Sequence, residues 1–148
     1  DVGTTQLLPV GTMHIDHEGN EYRYVLFGAG TAGYVQYAAC VLTSTYGTVS
    51  PDYSSGLAGL YFAGICMGVP LAASYGWILT RGLSYYIGGT AITSVSFMMG
   101  VLAGDEDGQL ESTGAVTASC STAGVPLVAG PADAVVSTDK AMIVSNCW

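Results

Sequence analysis

Glycine interrupts almost every apolar stretch of this sequence, and that feature does most to limit the fold. The chain has 21 glycines in 148 residues, and its longest apolar run, 57–73, is broken by Gly59, Gly64, Gly68 and Pro70. A glycine inside a helix costs about 1 kcal/mol relative to alanine. A membrane-spanning helix needs roughly 20 predominantly apolar residues. The pattern therefore predicts a β-rich protein with no membrane partner.

Short β-prone runs separated by turn residues indicate the same class. Tyr22, Tyr24 and Leu26 recur with the period of two that is typical of a strand. The polar stretch 16–20 separates this run from the run 10–15, so we expect a hairpin there. Other predicted strands are 34–43, 60–69, 75–81, 83–87, 95–103, 109–111, 125–128 and 141–146. Short strands at this spacing predict an all-β fold, a single small β-barrel or β-sandwich of a β-tulip-like kind.

The domain organisation follows from length and periodicity. A chain of 148 residues is long enough for one domain with its own core. Residues 1–9 have no periodicity, so we expect an extended N-terminal arm there and a single β-rich domain over residues 10–148. Such an arm could add a strand to the open edge of a neighbouring molecule.

Charge is unusually scarce. Charged residues make up 9% of the chain, whereas about a quarter is typical, and 50% of the residues are hydrophobic. A surface with so few charges is more easily understood in a protein that is part of an assembly. The three basic residues, Arg23, Arg81 and Lys140, stand against eleven acidic ones, which gives a net charge of −8. Nucleic acid is therefore not an expected partner, because phosphate binding needs clustered Lys and Arg.

Two motifs have the residue types of a ligand-binding site, but the sequence around each of them argues against binding. Residues 28–33 fit the Gly-x-Gly-x-x-Gly pattern, but the strand-like run 34–37 follows where a dinucleotide site needs a helix. His14, Asp16 and His17 are potential metal ligands at the tip of the expected hairpin, with no further cluster to complete a zinc site. We therefore expect no cofactor and no metal.

No motif for catalysis or zinc binding is present in the sequence. There is no Gly-x-Ser-x-Gly nucleophile motif, and the acidic residues have loop-like neighbours. We predict that the protein is not an enzyme. The four cysteines, Cys40, Cys66, Cys120 and Cys147, form no Cys-x-x-Cys pair. Their apolar neighbours favour mostly free thiols, and three disulfide pairings remain possible in an oxidising environment.

Aromatic side chains are the remaining notable group. Ten tyrosines and two tryptophans suit both a β core and an interface, because each combines a large apolar surface with a polar group. On so uncharged a surface some of them should contact partners. The candidate protein-interface residues are Val2, Leu7, Leu8, Tyr46, Tyr53, Trp77 and Trp148.

Three stretches together resemble the small capsid decoration, or cement, proteins of tailed bacteriophages. The first combines residues 10–12 with 16–25, where a Gly-Thr pair, an acidic glycine turn and an aromatic strand follow one another. The second, 73–82, is similar to a Tyr-Gly-Trp strand that closes on a glycine. The third combines residues 99–103 with 107–110 and resembles a late hairpin. In order and spacing, the likeness spans most of the chain.

The resemblance implies a virion structural protein. Such proteins are β-rich, bind the outer surface of the assembled capsid, commonly as trimers, and lock neighbouring major capsid subunits together. The implied partners are the major capsid protein and copies of this chain, assembled in the host cytoplasm, and no cofactor is implied. Two alternatives remain. One is a subunit of a homopolymeric filament or surface layer, and the other is a glycan-binding fibre domain in which Tyr46, Tyr53 and Trp77 stack on sugars.

Overall fold

The computed structural model describes residues 2–28, 35–43, 45–51, 61–87, 99–100, 108–112 and 141–145. Within these residues the chain is all-β and contains no helix. None of them belongs to a helix long and apolar enough to cross a bilayer. The strands are β1 (Met13–Ile15), β2 (Glu21–Phe27), β3 (Ala39–Leu42), β4 (Thr48–Ser50), β5 (Tyr61–Cys66), β6 (Tyr75–Ser84), β7 (Met99–Gly100), β8 (Glu111–Ser112) and β9 (Ala141–Val144).

Five strands close into a barrel, which confirms the predicted fold class. They follow the order β2-β4-β3-β5-β6, and a pairing between β6 and β2 closes the ring. The β2–β4 pair is parallel, and the other four pairs are antiparallel. β1 pairs with β2 in the predicted hairpin, and β9 pairs with the far end of β6. Closure gives each of the five strands a partner on both sides.

The barrel interior is filled by alternate side chains of its own strands. β2 contributes Val25 and Phe27, which are almost fully buried, and β6 contributes Ile78. The remaining members of this interior cluster are Cys40, Val49, Ala63 and Cys66. A five-stranded barrel is too narrow to leave a lumen, so these side chains form a packed core.

A second core lies on the outer side of the barrel. Val41, Phe62 and Ile65 point away from the interior and are buried against Tyr86, Leu110 and Ile143. β3 and β5 are therefore covered on both faces. This explains why their sequences are continuous apolar runs instead of alternating ones.

Gly64 allows β5 and β6 to approach each other closely. Its φ is +153°, and a Cβ at this position would collide with the backbone carbonyl of Leu79. The register of β3 against β5 also shifts here, between Cys40 and Val41. A glycine in the middle of a strand often marks such an irregularity, where another backbone comes close.

The N-terminal segment, residues 2–9, lies against its own barrel. The backbone N–H and C=O of Gly3 are both hydrogen-bonded to Tyr75, at 3.1 and 2.7 Å. Further along, the N–H of Leu7 donates to the Tyr24 hydroxyl at 3.2 Å. The extended arm expected over residues 1–9 is not confirmed. Gly3 fills part of the open edge at the start of β6.

Candidate functional site

The outer face of β2 and the first half of β6 carries a row of aromatic side chains. The register places Tyr24 opposite Trp77, Tyr22 opposite Leu79 and Leu26 opposite Tyr75. The Tyr24 ring lies 5.3 Å from that of Trp77 at 64° and 6.1 Å from that of Tyr75 at 10°. Facing cross-strand rings of this kind stabilise the pair of strands that carries them.

β1 adds a histidine to this row. His14 is opposite Tyr22 in the hairpin register, and the two ring centroids are 6.1 Å apart. The imidazole also lies 5.9 Å from the Trp77 ring, at an interplanar angle of 61°. We call this side of the barrel the aromatic face: His14 is exposed on it, Tyr22, Tyr75 and Trp77 are half-buried, and Tyr24 is buried beneath it.

A pocket of about 360 Å³ opens on the aromatic face. Four separate parts of the chain form its walls: the N-terminal segment, the β1–β2 hairpin, the connection that follows β5 and the first half of β6. The lining residues are Val2, His14, Asp16, Tyr22, Met67, Gly68 and Trp77. The pocket therefore combines aromatic rings, apolar surface and one carboxylate.

The Asp16 carboxylate is held rigidly by the hairpin. Oδ1 accepts hydrogen bonds from the backbone N–H groups of Glu18 and Asn20, at 2.9 and 3.0 Å. Oδ2 accepts from the Asn20 side-chain amide at 2.9 Å and from the Tyr22 hydroxyl at 3.0 Å. These four bonds occupy the lone-pair positions that a carboxylate offers.

The same hydrogen bonds fix the charge of the pocket. Led by the bond from the Asn20 side chain, they lower the pKa of Asp16 to about 2, despite an opposing effect of desolvation. Burial and the bond to Asp16 raise the pKa of Tyr22 above its ordinary value, so the phenol remains a donor. Asp16 is therefore an anion at neutral pH.

Exposed apolar side chains occupy the two segments that border the pocket. Leu7 is 74% exposed on the N-terminal segment, and Val69 and Leu71 are 63% and 68% exposed on the connection that leads to β6. Val2 is partly exposed, and its Cγ2 would lie 3.5 Å from a Cβ at Gly68, so the two segments meet at the pocket. Large apolar side chains grouped in this way on a surface are typical of binding sites.

The structure brings together some of the residues singled out from the sequence. Val2 and Trp77 line the pocket, and Leu7 and Leu8 are exposed on the N-terminal segment beside it. Tyr46 is exposed but does not line the pocket.

The remaining interface candidates from the sequence are Tyr46, Tyr53 and Trp148. The Tyr46 hydroxyl lies over Gly11, 2.8 Å from where a Cβ would be. Tyr53 and Trp148 lie outside the described residues. Sequence reasoning did not place Tyr22 or Met67 in a site, and it considered His14 and Asp16 only as metal ligands. The alternation of β2 and the hairpin signal together could have placed His14 beside Tyr22.

The chemistry of the pocket suits recognition of a flat or positively charged group, because aromatic faces attract cations and Asp16 adds negative charge. Among the described residues there is no group of three or more His, Cys, Asp or Glu that could hold a metal ion. No protein-family model, no curated protein and no solved structure matches this chain.

Proposed function

We propose that this chain is a virion structural protein, a capsid decoration or cement protein, which binds an assembled shell through its aromatic face and stabilises contacts between major capsid subunits. The observation that carries the proposal is the pocket on the aromatic face with exposed apolar side chains on both bordering segments. Aromatic residues at the centre of a patch are typical of protein interfaces, and charged residues are depleted there.

The composition supports docking onto protein. With 9% charged residues, the barrel has little charge to keep its exposed leucines and valines from associating. The five strands of the closed ring are paired on both sides, so on the ring itself the side chains of the aromatic face are the natural means of docking. We propose neither a nucleic acid nor a membrane as a partner, and no catalytic role.

The resemblance to cement proteins supports the same face. The first resembling stretch, 16–25, contains Asp16 and Tyr22, and the second, 73–82, contains Trp77. In the structure, these two stretches meet at the pocket through the pairing of β2 with β6. Residues from two of the three resembling stretches thus line the pocket through which we propose that the chain docks.

Contacts with copies of the chain, in trimers as in the resembling family, belong to the same proposal. The N-terminal segment has a different part in it than the sequence suggested. Since Gly3 pairs with Tyr75 of its own barrel, we propose that residues 2–9 shape the edge of the docking face.

The test compares two leucines of similar exposure. Leu71 is exposed on the connection whose first residues, Met67 and Gly68, line the pocket, whereas Leu83, 54% exposed, lies near the other end of β6. Tagged chains carrying Leu71→Ser or Leu83→Ser are supplied to particles assembled without a native copy, and the copies per particle are measured after gradient purification. We expect Leu71→Ser to lower occupancy and Leu83→Ser to leave it unchanged.

Negative-stain images of the same material test the wider proposal. Icosahedral heads that carry the chain on their outside support it. Tubes or fibres built from the chain would instead favour a filament or surface-layer subunit, and absence from all particles would refute decoration.

A glycan-binding fibre domain is the second candidate. One observation favours it, the position of Trp77 in an open pocket where a sugar ring could stack. Saturable binding of a glycan to the purified chain, lost in Trp77→Leu, would support this function. Tyr46 does not line that pocket, so the stacking platform of several aromatics that the sequence suggested is not formed by Tyr46 and Trp77.

A further inference from the structure

We propose that the pocket on the aromatic face receives the guanidinium group of an arginine. Its source, a side chain of the protein onto which this chain docks, rests on the proposed function, whereas recognition of the group itself does not.

The rings of His14 and Trp77 form two walls of the pocket that are set at an angle to each other. His14 and Trp77 lie 5.9 Å apart with 61° between their planes, and Tyr22 lies 6.1 Å from His14. A planar guanidinium stacks on aromatic faces and is weakly hydrated, so it loses little when it leaves water. A pocket of about 360 Å³ can hold the end of such a side chain while its edges remain in contact with solvent.

The charges around the pocket favour a cation. Asp16 is ionised and lines the pocket, and the exposed Glu18 stands beside it on the hairpin tip. Arg81, the basic side chain of β6, is engaged by Glu21 at 3.6 Å. The whole chain carries a net charge of −8. An approaching arginine is therefore attracted from a distance as well as in contact.

The hydrogen bonds of the hairpin argue against a sugar. Asp16 already accepts four hydrogen bonds, and the Tyr22 hydroxyl is committed to one of them. A sugar ring needs directional partners for its hydroxyls in addition to an aromatic plane. A cation over an aromatic face needs the plane and the negative field, both of which remain available.

The experiment is an NMR titration of the full chain with ethylguanidinium, followed at the Trp77 indole N–H. N-propylurea, which has a similar shape and no charge, is the control ligand. We expect a saturable shift with ethylguanidinium that weakens as salt is added, and none with N-propylurea. His14→Ala, a change at an exposed wall, should weaken binding about two- to fivefold.

Matched variants separate this pocket from other aromatic surface. Both variants are followed at the backbone N–H of Gly68, which also lines the pocket. Trp77→Leu should abolish the shift of this N–H, whereas Tyr61→Leu, at an exposed tyrosine of β5 outside the pocket, should leave it unchanged. An equal response to N-propylurea, or saturable binding of methyl glucoside with none of ethylguanidinium, would overturn the inference.

The outcome is distinguishable from failure of the proposed function. If ethylguanidinium binds and the chain is absent from particles, the decoration proposal fails and the guanidinium site stands. If the chain decorates heads and Trp77 does not respond to ethylguanidinium, the guanidinium site fails and decoration stands.

A separate observation inside the barrel carries a second inference. Cys40 on β3 and Cys66 on β5 are free thiols whose Sγ atoms lie 3.1 Å apart. Both side chains are fully buried in the interior cluster. We infer that these two cysteines form a disulfide across β3 and β5 when the chain folds in the presence of a low-molecular-weight disulfide such as oxidised glutathione.

The reaction is an exchange in two steps. A thiolate of one cysteine attacks the glutathione disulfide and releases one reduced glutathione, and the second cysteine then displaces the other. Two protein S–H bonds and one glutathione S–S bond are lost, while one protein S–S bond and two glutathione S–H bonds form. Since the folded interior excludes glutathione, the exchange takes place before the barrel closes, and a barrel that folds reduced stays reduced.

The test uses a Cys120→Ser, Cys147→Ser variant so that only this pair can react. The variant is refolded with a glutathione redox mixture or with reductant alone, alkylated while unfolded, and analysed by intact mass and peptide mapping. We expect the first sample to lack two hydrogens, to contain a peptide linking Cys40 to Cys66, and to unfold at a higher urea concentration. Two alkylated thiols after oxidative refolding would contradict the inference.

Discussion

Replacing Gly64 by alanine tests the close approach of β5 to β6. At this position a side chain meets two obstacles. The φ of +153° is rare for residues with a Cβ, and the added carbon would collide with the carbonyl of Leu79 on β6. Because that obstacle is backbone, it cannot rotate away. The collision is relieved only if β5 and β6 separate, which weakens the pairing of Ile65 with Leu79 and of Cys66 with Ile78.

The expected cost can be divided between the two obstacles. Gly19, at the hairpin tip, also has a positive φ, +85°, but a Cβ there would meet nothing within 4 Å. Gly19→Ala should therefore cost only the conformational penalty, about 1–2 kcal/mol. Gly64→Ala should cost that penalty plus the collision and the lost packing, about 3–5 kcal/mol in total. This is a large part of the 5–15 kcal/mol of stability typical of a domain.

Urea unfolding followed by tryptophan fluorescence measures these differences from the midpoints at constant slope. Gly3→Ala is the neutral control, because Gly3 has no positive φ and a Cβ there would have nothing within 4 Å. We expect it to lie within about 0.5 kcal/mol of the parent chain. If Gly64→Ala costs no more than Gly19→Ala, the β5–β6 contact is looser than the structure indicates and the reasoning is refuted.

Three further predictions follow from the pocket and the core. Hydrogen bonds keep the pKa of Asp16 at about 2 in the folded state, below the ordinary value, so their stabilisation is present above about pH 4. It is lost as the pH falls through 2, and the stability difference between the parent chain and Asp16→Asn should therefore shrink in urea melts between pH 5 and pH 2. In the reduced protein, burial raises the pKa of Cys40 well above its ordinary value, so Ellman's reagent should label Cys40 and Cys66 only on unfolding, as peptide mass spectrometry would show. Phe27→Ala, in the barrel interior, should cost about 3–5 kcal/mol in urea unfolding, and a cost below 1 kcal/mol would contradict the packed core.

Local patterns were enough to predict the strand class and the first hairpin. The alternation in β2 and the polar turn before it both appear in the structure. β4 was missed, because its residues 48–50 are mostly polar and lie within a stretch that the sequence presents as a loop. Besides the neighbouring strand β3, it pairs with β2, which is distant in sequence and parallel, so no local signal reveals that second pairing.

β6 shows a different kind of error. The sequence predicts two strands, 75–81 and 83–87, because Gly82 separates them. In the structure, Tyr75–Ser84 is one strand. Gly82 has a φ of +134°, and the side-chain oxygen of Asn20 occupies the space that a Cβ at this position would need. The glycine accommodates the hairpin without ending the strand. A glycine that ends a strand at a turn cannot be distinguished, in a single sequence, from a glycine that lets another part of the chain come close.

The candidate site was predictable only in part, for a reason that lies in the topology. Composition pointed to docking, and Val2 and Trp77 were among the residues chosen for it. The pocket itself depends on the register that sets Tyr24 against Trp77 and on the bridge that carries Val2 to the end of β5. Both are contacts between distant parts of the chain, and periodicity does not encode them.

The low charge of the chain indicates an interface, and the parts of the barrel surface that are left uncovered show where that interface would lie. The outer face of β3 and β5 is covered by Tyr86, Leu110 and Ile143, so it is not free for a partner. The aromatic face is crossed by the N-terminal segment and keeps a pocket open beside exposed leucine and valine side chains. The acidic hairpin tip stands at the edge of this pocket. A partner that covers the aromatic face must therefore be apolar where it meets the rim and basic where it meets Asp16, and an acidic partner surface would be repelled. Added salt should then slow the association of the chain with its partner more than it speeds dissociation.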